Sequence, residues 1–305
     1  MPHEPIYIPP ERIFETEDGC VWCGATEPEA DLRKEHIIPA SFGGHLVIPK
    51  GCCTYCQGTQ SAYIGQCCDK MFAALRFHHG LPLSRKKKLS ERTLRVLTDT
   101  DTYISVPQDE APGVISMPVL DMPRLLSGTP ATENEFQIIG FYVAGTGDDG
   151  GKHQLKLEGA GHRVAAYSQI PVSPFTQTLA HIGHSYYMTQ SHLGRETSLL
   201  LPIAQGDLRQ SSRVIGGWSL TEEYFPKPKA GRRGGLHQIL PFNARSGGID
   251  YIAAHIRLFT HLRPISPLYT VVLAQREIPK GDQYFSFTRE KRAHGMEIEV
   301  TVTVA

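Results

Sequence analysis

Beyond residue 68 the sequence has no cysteine at all, and its seven cysteines fall between Cys20 and Cys68. An odd number confined to one fifth of the chain excludes a disulfide framework and points to local thiolate chemistry in a reducing compartment. Net charge is also lacking, with 31 basic against 31 acidic residues, so bulk electrostatics do not make this chain a polyanion binder. Any nucleic-acid surface has to be a local patch. No apolar run approaches the ~18 residues of a membrane span. The opening residues, MPHEPIYIPPERIFETEDG, lack the basic and apolar regions of a secretory signal. A cytoplasmic location without membrane contact is therefore expected. Solenoid repeats are absent as well.

What the chain does contain is uneven. Residues 1–19 read as a Pro-rich lead-in, and residues 20 to about 80 hold every cysteine. A basic stretch follows, LSRKKKLSERTLR, within a segment (69–96) that carries eight Lys/Arg against two Asp/Glu. Residues near 106–134, rich in Pro, Gly and Ser, read as a connection. The remainder predicts a mixed α+β unit. FQIIGFYV and HQLKLE flank AGTGDDGGK as a hairpin with a long turn. Two aspartates in GTGDDG would repel a pyrophosphate, so its literal G-x-G-x-x-G match does not read as a nucleotide site. Helical spacing is seen at Phe175, Leu179, Ile182 and Tyr186, and again at Ile252, Ile256 and Phe259, with Asp250 as a possible N-cap. PLYTVVLAQ and MEIEVTVTVA read as strands.

Cys20-x-x-Cys23 and Cys53-x-x-Cys56 form two knuckles separated by 29 residues. Two such knuckles supply four thiolates to one tetrahedral zinc. With every position filled by sulfur, no open site remains for water, so this zinc is structural. Cys52 fits the spacing less regularly, and Cys67 and Cys68 are expected to face a helix interior. Between the knuckles lie Glu35-His36, then IIP, a Gly-Gly loop and a second apolar run HLVIP; Cys53-x-x-Cys56 opens a helix. The order is strand, loop, strand, helix: a ββα unit pinned at its base by zinc.

Those elements in that order, C-x-x-C, EHIIP, GG and C-x-x-C, resemble the zinc-stapled branch of the HNH endonuclease family over roughly residues 15–80. The resemblance implies an α+β chain: a lead-in (1–19), a zinc-binding HNH nuclease module with its basic extension (20–100), and a larger α+β domain of unknown role (101–305). It also implies a metal-dependent endonuclease that hydrolyses phosphodiester bonds of nucleic acid, with DNA the expected substrate. His36 would be the general base. Glu35 would hold a catalytic Mg²⁺ or Mn²⁺ ion. A backbone carbonyl or the residue near Lys50 would orient His36. Immediately after Cys56 the family carries Asn or His as a metal ligand, and this chain has Gln57, one methylene longer than Asn; Gln60 lies one turn on. That departure keeps an alternative open, a catalytically weak or inactive nucleic-acid-binding module. Arg85, Lys86, Lys87 and Lys88 are the candidate phosphate contacts, with PKPKAGRRGG a weaker second. His181 and His184 lack an acidic partner at matching spacing and read as satisfied or surface histidines. His78-His79 reads as a helix end, where an imidazolium suits the dipole.

Overall fold

A computed structural model describes residues 7–16, 19–81, 93–98, 102–107, 114–130, 138–145, 164–166, 170–190, 194–217, 236–262, 265–292 and 295–304. The first unit is a three-stranded sheet with a helix behind it. Strand β2 (Leu32–His36) pairs antiparallel with β3 (Leu46–Cys53), Leu32 opposite Cys53 and His36 opposite Val47. The lead-in contributes β1 (Arg12–Ile13), which adds in parallel to the other edge of β3. The Gly-Gly pair now has a reason. Gly43 takes the left-handed conformation (φ 86°) that ends the short 3₁₀ turn Ala40–Phe42. A Cβ at Gly44 would sit 1.7 Å from the Ile38 carbonyl oxygen, so only glycine permits the chain to double back. Helix α1 (Thr54–Gln66) starts at Cys53 and passes through a π-helical turn, Cys67–Met71, into α2 (Ala73–His78). Cys67 and Cys68 are buried in that turn, against Thr178 and Ser41.

Strand β4 (Thr93–Thr98) pairs with β5 (Tyr103–Pro107) and with β8 (Val164–Ala166). Strand β6 (Val114–Leu120) pairs with β7 (Ile138–Gly145), with the short helix α3 (Arg124–Ser127) between them in sequence. The partner expected for β7, HQLKLE, lies outside the described residues, as does nearly all of the glycine-rich loop before it. Helix α4 (Val172–Met188) forms where the apolar spacing predicts it. A six-stranded sheet closes the fold. In sequence it comprises β9 (Ile215–Gly217), β10 (His237–Ser246), β11 (Ile249–Leu258), β12 (Leu268–Gln275), β13 (Gln283–Arg292) and β14 (Gly295–Val304). Its spatial order is β14-β13-β10-β11-β12-β9.

One expectation is overturned. Ile249–Leu258 is strand β11, not a helix capped by Asp250. Flanked by β10 and β12, it is buried without interruption from Ala253 to Leu258, so both of its faces are covered, and His255 and Arg257 are buried on one of them. A doubly covered strand needs no strict alternation, and Ile252, Ile256 and Phe259 fall at helical spacing by coincidence. Asp250 instead accepts two hydrogen bonds from Arg245 (2.5 and 3.0 Å) and one from the Ile278 amide (3.1 Å).

The core runs without a break across the expected boundary at residues 100/101. Phe42 and Phe72 of the first unit stack edge-on at 4.9 Å, and Phe72 continues to Phe259 (5.1 Å) and Phe175 (6.2 Å). All four rings are fully buried. A fragment ending at residue 100 would leave Phe42 and Phe72 without Phe175 and Phe259. Stripping one buried Phe of its packing typically costs ~3–5 kcal/mol, a large part of a domain's stability. The fragment is expected to bind a hydrophobic dye and lack near-ultraviolet circular dichroism, whereas a rigid fragment with native aromatic signals would show the first unit to be autonomous.

Candidate active site and metal centre

The cysteine knuckles are built by backbone turns. Gly24 (φ 78°) closes the first, its amide donating to the Cys20 carbonyl at 2.7 Å, and the Val21 amide ties the turn to Gly51. The second is the start of α1, where the Cys56 amide donates to the Cys53 sulfur at 3.5 Å. The four sulfurs of Cys20, Cys23, Cys53 and Cys56 lie within 4.8 Å of one another. Cys23 and Cys53 are 3.7 Å apart, and a tetrahedron with Zn–S of ~2.3 Å has an edge of about 3.8 Å. A hydrogen bond from the Cys52 thiol, helped by the Cys53 amide, pulls the Cys20 thiol down to about 4, while burial pushes Cys23 and Cys56 up. A cation among the sulfurs would hold them all as thiolates. Cys52 itself points inward toward Gln60, outside the tetrad.

With a ββα unit stapled by a cysteine tetrad, the comparison with known families is decisive. Residues 20–73 match the HNH endonuclease family. The four cysteines fit the zinc staple of such an HNH module, and the match covers none of the chain after residue 73. Comparison with curated proteins and with solved structures gave no match.

Within the HNH module, strand alternation sends Glu35 and His36 to different surroundings. The His36 side chain keeps 24% of its surface, and its Nε2 lies 3.8 Å from a Glu11 carboxylate oxygen. Lys34, two residues back on the same face, grips Glu11 at 2.6 and 2.9 Å. Burial pushes the His36 imidazole below its ordinary value, against the opposing pull of Glu11 and then Glu35. Glu11 belongs to the lead-in and escaped the sequence reading, since nothing in its local pattern announces a position beside His36. Lys50, beside which a residue orienting His36 was expected, pairs with Glu27 at 2.6 Å. That pair lines a cleft of about 580 Å³ that also carries Glu15, an acidic rim unsuited to phosphate.

Glu35 faces the interior and is only 3% exposed. Its Oε1 lies 3.1 Å from His181 Nε2, and the Ser185 hydroxyl donates to the same oxygen at 3.4 Å. Gln57 is half-buried in the first turn of α1, and Gln60 is buried one turn further. Among the described residues, the cysteine tetrad is the only convergent group of three or more His, Cys, Asp or Glu ligands. Of the donors expected for a catalytic divalent ion, the Glu35 carboxylate is buried and already bonded to His181 and Ser185. His181 and His184 are buried and satisfied, but the partners of His181 and the Nε2 partner of His184 lie in the HNH module. Arg85 to Lys88 and PKPKAGRRGG lie outside the described residues. Among the described residues no helix is long and apolar enough to cross a membrane.

Proposed function

We propose that this protein is an endonuclease that hydrolyses phosphodiester bonds of nucleic acid, DNA foremost, with His36 as general base. The observation that carries the reading is His36 itself: a half-buried imidazole at the end of β2 in a zinc-stapled HNH module, with a carboxylate at 3.8 Å. Burial favours the neutral ring, which can take a proton from water near neutral pH. The structural zinc holds β2, β3 and α1 in register and has no open position for chemistry. A plasmid-nicking assay with and without Mg²⁺ or Mn²⁺ tests the reading. Cleavage by the intact chain supports it, and its absence on DNA and RNA with either ion overturns it.

One observation favours a second reading, a zinc-stabilised nucleic-acid-binding module without catalysis: the carboxylate of Glu35 is sealed from solvent. Both readings share a partner. Replacing Arg85, Lys86, Lys87 and Lys88 by serine is expected to weaken nucleic-acid binding evenly across sequences. It should also flatten the dependence on salt, by ~0.9 in log–log slope for each duplex phosphate no longer neutralised. Unchanged affinity and slope in a salt titration would make this stretch an ordinary solvated surface.

A further inference from the structure

Helix α4 enters the HNH module through a closed set of polar contacts. His181 is 2% exposed on its side chain, and Glu35 4%. Its Nε2 faces two acceptors at once, Glu35 Oε1 at 3.1 Å and the main-chain oxygen of His36 at 3.2 Å. A main-chain oxygen only accepts, so Nε2 carries the hydrogen that it donates there, with the Glu35 oxygen within the same reach. The other ring nitrogen, Nδ1, is hydrogen-bonded to the Tyr63 hydroxyl of α1 at 3.2 Å. Ser185, one turn along α4, adds its hydroxyl to Glu35, and the Trp22 indole stacks on the imidazole at 5.0 Å with 29° between planes. The ring is thus held at both nitrogens and on one face.

We propose that His181 is a positioning residue for His36, fixing the end of β2 through the His36 carbonyl and the Glu35 carboxylate. This rests on the reading of His36 as the base. A purely structural tie would serve equally well anywhere along β2, and the neighbouring histidine illustrates one. His184, also buried on α4, donates through Nε2 to the Val21 carbonyl at 2.9 Å and meets Ser198 at Nδ1, away from His36. His181 instead grips the main chain of the residue whose side chain does the chemistry. A shift of about 1 Å at such a group can cost ~10²-fold in rate. The same contacts give Glu35 a role as internal anchor in place of metal ligand.

The test compares His181→Leu, which removes both ring nitrogens, with His181→Gln, which keeps an N–H near the position of Nε2, in the full-length zinc-loaded chain. His181→Leu is expected to lower the saturated cleavage rate ~10- to 100-fold with KM changed by less than about twofold. His181→Gln should recover most of the rate, and His184→Gln should lower the melting temperature without that split. An unchanged rate in His181→Leu, or an equal fall in rate in the two His181 variants, overturns the proposal. A second readout does not need activity. The Ile37 amide, bonded to the Leu46 carbonyl at 3.0 Å, should exchange its hydrogen at least ~10-fold faster in His181→Leu relative to the amides of β12. If the wild type cleaves nothing, the function fails, and the exchange alone decides whether His181 holds β2. Tyr63→Phe deletes only the hydroxyl at Nδ1 and should shift exchange in the same direction by less. It is the variant to read if His181→Leu does not fold, and no change in it then overturns the proposal.

Discussion

Cys53→Ser is expected to release the zinc and unfold the HNH module, taking much of the remaining core with it. Cys53 serves three purposes: it ends β3 opposite Leu32, contributes a sulfur to the tetrad and caps α1. Serine is among the best N-cap residues and keeps a backbone amide, so the substitution leaves the cap and the ladder while removing the sulfur. What disappears is therefore the metal. Structural zinc contributes ~10–16 kcal/mol in small domains, which rivals the ~5–15 kcal/mol of a whole fold. Even a net destabilisation of ~5 kcal/mol lowers the melting temperature by roughly 8 °C in a chain of this size. Metal analysis should give about one zinc per chain in the wild type and a small fraction of that in the variant. Freshly purified, reduced wild type without zinc would sink the assignment of the tetrad.

His36→Ala is expected to abolish cleavage with zinc content and melting temperature near wild type, because the imidazole is only partly buried and lies outside the tetrad. General-base assistance is typically worth ~10²–10⁴-fold. The pH profile carries a sign. A base acts when neutral, and burial lowers the His36 value below the ordinary 6.5, so the rate should climb only on the acid side of that value and be flat above it. Glu11 favours the protonated ring and so raises that value; its own carboxyl is held down by the hydrogen bond from Lys34 and stays ionised. Glu11→Gln should therefore move the acid limb to lower pH. A profile that rises through pH 8, or a His36→Ala variant as fast as wild type, would remove His36 from the chemistry.

Local chemistry was legible in the sequence and long-range chemistry was not. The two knuckles, the ββα order and the Gly-Gly reversal are set by residues within a few positions of one another, so spacing exposed them. Helix α4 and strands β12 and β14 were legible from periodicity for the same reason. Strand β11 was misread because burial on both faces erases the period that separates strand from helix. The partner of Glu35 was hidden by distance: the i, i+3 histidine pair was visible, but which carboxylate it would meet is decided by packing. Glu11 was hidden because the two-residue strand that follows it leaves no pattern.

The contact between His181 and the His36 carbonyl spans 145 residues of chain. During synthesis at ~5–20 residues per second, the cysteine knuckles and β2 leave the ribosome roughly 7–30 seconds before α4 exists to meet them. Through that interval the cysteines can already capture zinc, while the Glu35 carboxylate and the Trp22 ring have no cover. The nascent chain thus passes through a metal-loaded but unfinished form, and the strand that carries His36 is locked only after most of the protein has been made.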